Sequence, residues 1–107
     1  KSFIYLKSDK KMVKVYLKDI LYVESIKDYV AIYTEDKKMV TKQKISYMEQ
    51  KLPQQQFLRV HRSYLIAIGK IEAFNHTQID IGETVLPIGR SYRQQVIEYL
   101  SGQYEQL

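Results

Sequence analysis

Apolar and polar residues alternate through most of this chain, and that two-residue rhythm predicts a domain built mainly of strands. FIYLK at residues 3–7 reads as a first strand. In KMVKVYLKD, Val13, Val15 and Leu17 alternate with Lys14, Tyr16 and Lys18, which predicts a half-buried strand with one wet face. DILYVES is a compact apolar strand, and DYVAIYTEDKKMVTKQ reads as a hairpin turned at Glu35-Asp36-Lys37. Two apolar runs in FLRVHRSYLIAI (residues 57–68) flank His61-Arg62-Ser63. KIEAF and QIDIGETVLPI complete the strand candidates. In the latter, Gly82-Glu83 suits a two-residue hairpin turn with glycine first. Pro87 has no amide hydrogen to donate, so it belongs at an edge or a strand end.

Two stretches have helical spacing. Ser46-Tyr47-Met48-Glu49 has the form of a capping box, with Ile45, Met48 and Leu52 on one face and Pro53 as the stop. The second helix is expected to start from Ser91 as N-cap and to bury Val96, Ile97 and Leu100. It should close at Ser101-Gly102, leaving residues 103–107 as a frayed tail. The fold class expected is therefore mostly β with two short helices.

Length and composition narrow the picture. At 107 residues the chain is one domain, expected to occupy residues 1–102, and its 45% apolar and 27% charged content is that of a folded globular protein. No signal-peptide pattern or membrane-length apolar run is present, and there are no cysteines for disulfides or thiolate metal sites. This fits a cytoplasmic protein with no membrane partner. The chain opens directly on a strand-like segment, the pattern of a fragment of something larger.

Charge adds a direction. The net charge is +5 and the pI about 9.3, which favours a polyanionic partner. Lysines in the first half carry the whole excess, whereas Arg59, Arg62, Arg90 and Arg93 all lie in the neutral second half. Lysine supplies a mobile point charge; arginine supplies a planar fork that grips phosphate or a guanine edge. On charge alone, a nucleic-acid surface and an ordinary solvated basic surface remain equally open.

Ten tyrosines with no tryptophan could provide stacking groups, but tyrosine also covers strands while leaving its hydroxyl wet. The core-covering reading is the better one for most of them. Nothing points to catalysis. His61 and His76 have no HExxH spacing or carboxylate cluster, no G-x-S-x-G elbow occurs, and the four glycines build no phosphate loop. No catalytic residue, metal ligand or cofactor is expected.

Three breaks between regular segments carry groups that seek anions or base edges: Ser25-Ile26-Lys27-Asp28-Tyr29, His61-Arg62-Ser63 and Gly89-Arg90-Ser91-Tyr92-Arg93. At the third, a helix start with free amide groups would seat a phosphate, and Arg93 is poorly placed for the helix dipole. Connectors are polar by default, so each break taken singly favours the solvated reading. Three in one small basic domain strengthen the functional one.

The blocks DILYVESIKDYVAIYT, FLRVHRSYLIAIGKIEAF and LPIGRSYRQQV, in this order and spacing, resemble the LytTR DNA-binding domain. That domain is the output half of many bacterial two-component response regulators. The resemblance runs from about Phe3 to Leu100. It implies an elongated fold of about ten strands in small antiparallel sheets, and a transcriptional regulator that binds specific double-stranded DNA through loops. By resemblance, Lys27, Asp28 or Tyr29 meets one major groove, Arg62 the intervening minor groove and Arg90 the next major groove. His61 and Ser63 stand beside Arg62, and Lys42, Lys44, Ser91 and Arg93 match phosphate contacts. Some members have histidine where Tyr29 falls here, which alters the donor offered to that groove. The implied partners are promoter repeats bound by two copies and, through a receiver domain absent from these residues, a histidine kinase and its phosphorelay. The alternative is a β-rich protein- or ligand-binding module whose basic connectors only face water.

Overall fold

In the computed structural model, which describes residues 2–102, the alternating segments become ten strands in three antiparallel sheets. Strands β1 (Phe3–Ser8) and β2 (Lys11–Tyr16) form a hairpin. The central sheet comprises β3 (Ile20–Ile26), β4 (Tyr29–Thr34), β5 (Lys38–Thr41), β6 (Phe57–His61) and β7 (Tyr64–Ala67), in spatial order β5-β4-β3-β7-β6. The third sheet contains β8 (Ala73–Phe74), β9 (Gln78–Ile81) and β10 (Thr84–Pro87). Helices α1 (Ile45–Lys51) and α2 (Arg93–Ser101) complete an elongated body of 48 × 29 × 25 Å. Among the described residues, no helix is long and apolar enough to cross a membrane.

The central sheet is buried on both faces, and alternation sorts its residues between two cores. Val23, Val30, Ile32 and Leu65 face one side, where Leu6 and Val15 of the β1–β2 hairpin and Ile45, Met48 and Leu52 of the α1 segment cover them. Tyr22, Val60 and Ile66 face the other, against Ile79, Ile81 and Leu86 of the small sheet and Val96 and Leu100 of α2. Each such buried aliphatic side chain contributes about 1.5–3 kcal/mol.

Several local expectations hold. The Gly82-Glu83 turn joins paired Ile81 and Thr84, with Gly82 at φ +60. Pro87 ends β10, an edge strand. Other expectations need correction. Strand β2 stops at Tyr16, because Leu17–Asp19 winds into a 3₁₀ turn that buries Leu17. KIEAF yields only the two-residue β8, since Ile68–Lys70 is likewise a 3₁₀ turn. Ser46 caps nothing: the carbonyl of Lys44 accepts the amides of Tyr47 and Met48, so Lys44 is the N-cap and the helix begins two residues earlier. Ser91 is not an N-cap either. It lies in the 3₁₀ turn Arg90–Tyr92, and α2 starts after Tyr92. Gly102 closes α2 with right-handed backbone (φ −80), without the left-handed geometry usual for a closing glycine. The expected tail, residues 103–107, lies outside the described residues.

Candidate nucleic-acid interface

Strand register decides where the three connectors go. Ile26 pairs with Tyr29, so β3 and β4 are joined by only Lys27 and Asp28. Lys27 takes up left-handed backbone (φ 54) to close that turn. His61 pairs with Tyr64, so β6 and β7 are joined by Arg62 and Ser63. Because β7 runs antiparallel to β3, with Glu24 opposite Tyr64, the two turns lie at the same end of the sheet. A backbone hydrogen bond of 2.9 Å from Ser25 N–H to the Ser63 carbonyl ties them together. Thr41 pairs with Val30, which brings Lys42 and Lys44 to this end as well.

The third connector docks on the far edge. Gly89 donates its amide hydrogen to the Val60 carbonyl at 2.8 Å, and Tyr92 donates back to the Gly89 carbonyl at 2.9 Å. The close approach favours glycine: a Cβ there would lie 3.1 Å from Tyr92 Cδ2 and 3.4 Å from the His61 Cα. The result is a row along one sheet end, running from Lys42 and Lys44 through Lys27-Asp28 and Arg62-Ser63 to Arg90. Neighbouring strands stand about 4.7–4.9 Å apart, so the four strands from β4 to β6 alone span roughly 14 Å before any side chain extends.

Arg59 braces this row. Its Nε–H donates to the His61 carbonyl at 2.9 Å, one Nη to the Arg62 carbonyl at 2.7 Å, and the other to Glu49 Oε1 at 2.7 Å. The guanidinium also lies over the Tyr92 ring, 5.9 Å from its centroid. One planar fork thus fastens α1, the β6–β7 turn and the Arg90 turn to one another. Glu49, expected to close a capping box, is drawn to Arg59 instead.

His61 holds its own turn. Its Nδ1 accepts the Ser63 amide hydrogen at 3.0 Å, which requires the neutral ring protonated on Nε2. Burial, then the charges of Arg62 and Arg59, keep the imidazole below its ordinary pKa of 6.5. Its ring packs on Tyr64, with centroids 5.3 Å apart. Behind it, the Glu24 carboxylate accepts hydrogen bonds from the hydroxyls of Tyr33 at 3.0 Å and Tyr64 at 3.4 Å. Tyr33 also stacks on Tyr22 at 4.4 Å. Burial followed by the hydrogen bond and charge of Glu24 pushes Tyr33 up to about 12, and burial with Glu24 also raises Tyr64. These tyrosines serve the core, as the composition favoured.

Among the expected site residues, Lys27, Asp28, Lys42 and Lys44 line one cleft of about 530 Å³ together with Ser25 and Arg59. Tyr29 is exposed beside that turn, and its cross-strand partner Ile26 is exposed with it. His61, Arg62 and Ser63 form the centre of the row. Arg90 and Ser91 sit at its far edge, and Arg93 begins α2 with its Nε buried and without a hydrogen-bond acceptor. Sequence reasoning missed Arg59 as a positioning residue. It sits within the run FLRV, opposite Leu65 on the side covered by α1, and nothing in its immediate neighbours marks that role. Only the tertiary contacts draw attention to it.

Comparison with known proteins places this geometry. The family model described as the LytTr DNA-binding domain matches residues 10–101. The sensory transduction protein LytT of Bacillus anthracis is 32% identical over 98 residues, 86% of this chain and 40% of its own length. The heme-containing CO-sensing transcriptional regulator RcoM 2 of Paraburkholderia xenovorans is 28% identical over 104 residues, 91% of this chain and 38% of its own length. The chain thus spans about 40% of the length of the curated relatives it matches. A solved LytTr DNA-binding domain from Bacillus cereus superimposes with a TM-score of 0.78 at 23% identity, covering 95% of this chain and 98% of that one.

Proposed function

The chain belongs to the LytTr DNA-binding domain family, and from that premise we propose that it reads specific duplex DNA with a row of connectors and no recognition helix. Lys27 and Tyr29 address one major groove, Arg62 the minor groove beside it and Arg90 the following major groove. A fork at Arg90 suits the O6 and N7 acceptors of guanine, and a narrow A·T-rich minor groove attracts Arg62 by its negative potential. Tyr29 offers a hydroxyl donor and a ring able to pack on a thymine methyl. Lys42, Lys44, Ser63, Ser91 and Arg93 meet phosphates on either side, Asp28 supports the first turn and His61 supports the second.

The observation that carries this reading is the order of the row. Arg62 stands between Lys27 and Arg90 along one sheet end, matching the alternation of major, minor and major groove along a duplex face. Transcription regulation follows from the same premise, with two copies on repeated half-sites. Control by a kinase through a receiver domain would come from a longer protein of the kind its relatives represent.

Selection from a random duplex library followed by sequencing tests the reading and supplies the target. The expected outcome is a site with two conserved segments about one helical turn apart. Log K should also fall with log salt by roughly 0.9 per phosphate neutralised. Binding indifferent to salt and to sequence would overturn the reading in favour of a protein- or ligand-binding module.

A further inference from the structure

The row of connectors does not stop at β5. In the β1–β2 hairpin, Ser8 pairs with Lys11, and the two-residue turn between them has both Asp9 and Lys10 in left-handed backbone (φ 51 and 66). The Ser8 hydroxyl donates to the carbonyl of Val40 at 2.8 Å, next to Thr41 at the connector end of the sheet. The hairpin turn is therefore fastened to the outer edge of β5, just where the chain continues into Lys42.

Alternation gives Lys11 its direction. Met12, Lys14 and Tyr16 lie on the outer face of β2, whereas Lys11, Val13 and Val15 share the face turned toward the central sheet. Val15 is buried in that core, whereas Lys11, at the turn end of the same strand, is exposed. Directly opposed residues of antiparallel strands have Cβ atoms about 4.5–5.5 Å apart. Lys11 thus stands beside Ser8, on the side that touches β5. Lys7 and Lys10 flank it, and Asp9 is the acid of this turn. Strand β5 itself carries no acid (Lys38, Met39, Val40, Thr41).

We propose that the β1–β2 turn is a further phosphate-binding element, with Lys10 and Lys11 gripping the DNA backbone beyond the groove addressed by Lys27 and Tyr29. It lengthens the basic row by one strand pair on the side opposite Arg90 and adds affinity without sequence preference. This inference rests on the groove reading above.

The test is a salt titration of binding to a mixed-sequence duplex, comparing the unaltered chain with Lys10→Asn/Lys11→Gln and with Lys14→Gln. Asparagine tolerates left-handed backbone, so the turn keeps its shape. Lys14 sits on the outer face of the same hairpin, 4.5 Å from the Phe3 ring centroid, and controls for loss of charge alone. The double variant should flatten the slope of log K against log salt by roughly 0.9 for each phosphate lost, up to about 1.8. Its selected target sequence should be unchanged, and Lys14→Gln should leave the slope near that of the unaltered chain. An unchanged slope in the double variant, or an equal change in Lys14→Gln, overturns this inference while the groove reading stands. Failure of the unaltered chain to bind duplex DNA overturns both.

Discussion

The guanidinium of Arg59 holds the carbonyl oxygen of Arg62 at 2.7 Å and that of His61 at 2.9 Å. The side chain proposed for the minor groove therefore projects from a turn braced by another arginine three residues earlier. This separates two roles that charge alone would merge. Arg59 is a positioning residue with a side chain only 15% exposed, whereas Arg62 is exposed.

Arg59→Lys should accordingly lower both stability and DNA affinity. A point charge cannot bridge two carbonyls and a carboxylate at once. Leaving part-buried acceptors unpaired costs about 1–3 kcal/mol, with little of it from Glu49, which is 44% exposed. Arg62→Ala should weaken binding while stability stays within about 0.5 kcal/mol of the parent. Denaturant unfolding and DNA titration of both variants check the contrast. If Arg59→Lys unfolded at the parental midpoint, the bracing role would be wrong.

Arg90 and Lys42 should differ in the kind of loss they produce. Arg90→Ala is expected to cost about 1–3 kcal/mol and to relax preference at one base position. Lys42→Ala should weaken every sequence alike and flatten the salt slope by about 0.9. Sequencing of the duplexes each variant selects reports the difference, and an unaltered preference in Arg90→Ala would remove its readout role.

Gly89→Ala should disturb the Arg90 readout without touching Arg90. The added methyl meets Tyr92 Cδ2 at 3.1 Å and the His61 Cα at 3.4 Å, so the Tyr92 ring or the connector's seat on β6 must give by a few tenths of an ångström. Overpacking of this kind costs about 1–3 kcal/mol. Base preference should relax at the Arg90 position more than at the Arg62 position. Equal relaxation at both, or none, would count against the docked arrangement.

His61 predicts an acid-sensitive turn. Its pKa is lowered on folding, so the unfolded chain binds the extra proton first and stability rises with pH across the window below 6.5. The contribution is complete above that value and is lost as pH falls through the folded pKa, when Nδ1 can no longer accept from Ser63. Thermal unfolding followed from about pH 7.5 to about pH 5 should show a fall in Tm that His61→Asn reduces, since the asparagine oxygen accepts the same amide at either pH. Parallel pH profiles for the two proteins would refute this role for the ring.

Much of the fold was legible because local patterns report local physics. Two-residue alternation marked β2, compact apolar runs marked the strands of the central sheet, and Gly82 and Pro87 declared their turn and edge. The helix starts were misread at Ser46 and Ser91, where tertiary bonds overrode the local capping signal. Glu49 found Arg59, and the Arg90–Tyr92 turn was pinned to Val60 through Gly89. For the site, the candidates Lys27, Arg62 and Arg90 stood out as polar breaks between apolar runs, and the motif blocks around them carried the family. Arg59 did not stand out, because its partners are a carboxylate ten residues away and two backbone carbonyls that no composition reveals.

The division has a physical cause. The chain by itself determines which residues alternate, where the backbone must turn and which connectors carry cations, since these depend on neighbours within a few positions. Only the tertiary structure decides that those connectors form one row, that Arg62 falls between Lys27 and Arg90, and that the β1–β2 turn is fastened beside β5. Those relationships come from the strand order β5-β4-β3-β7-β6 and from docking at both sheet edges. They are settled by which faces must be buried together, a condition imposed on the whole chain and on no single segment of it.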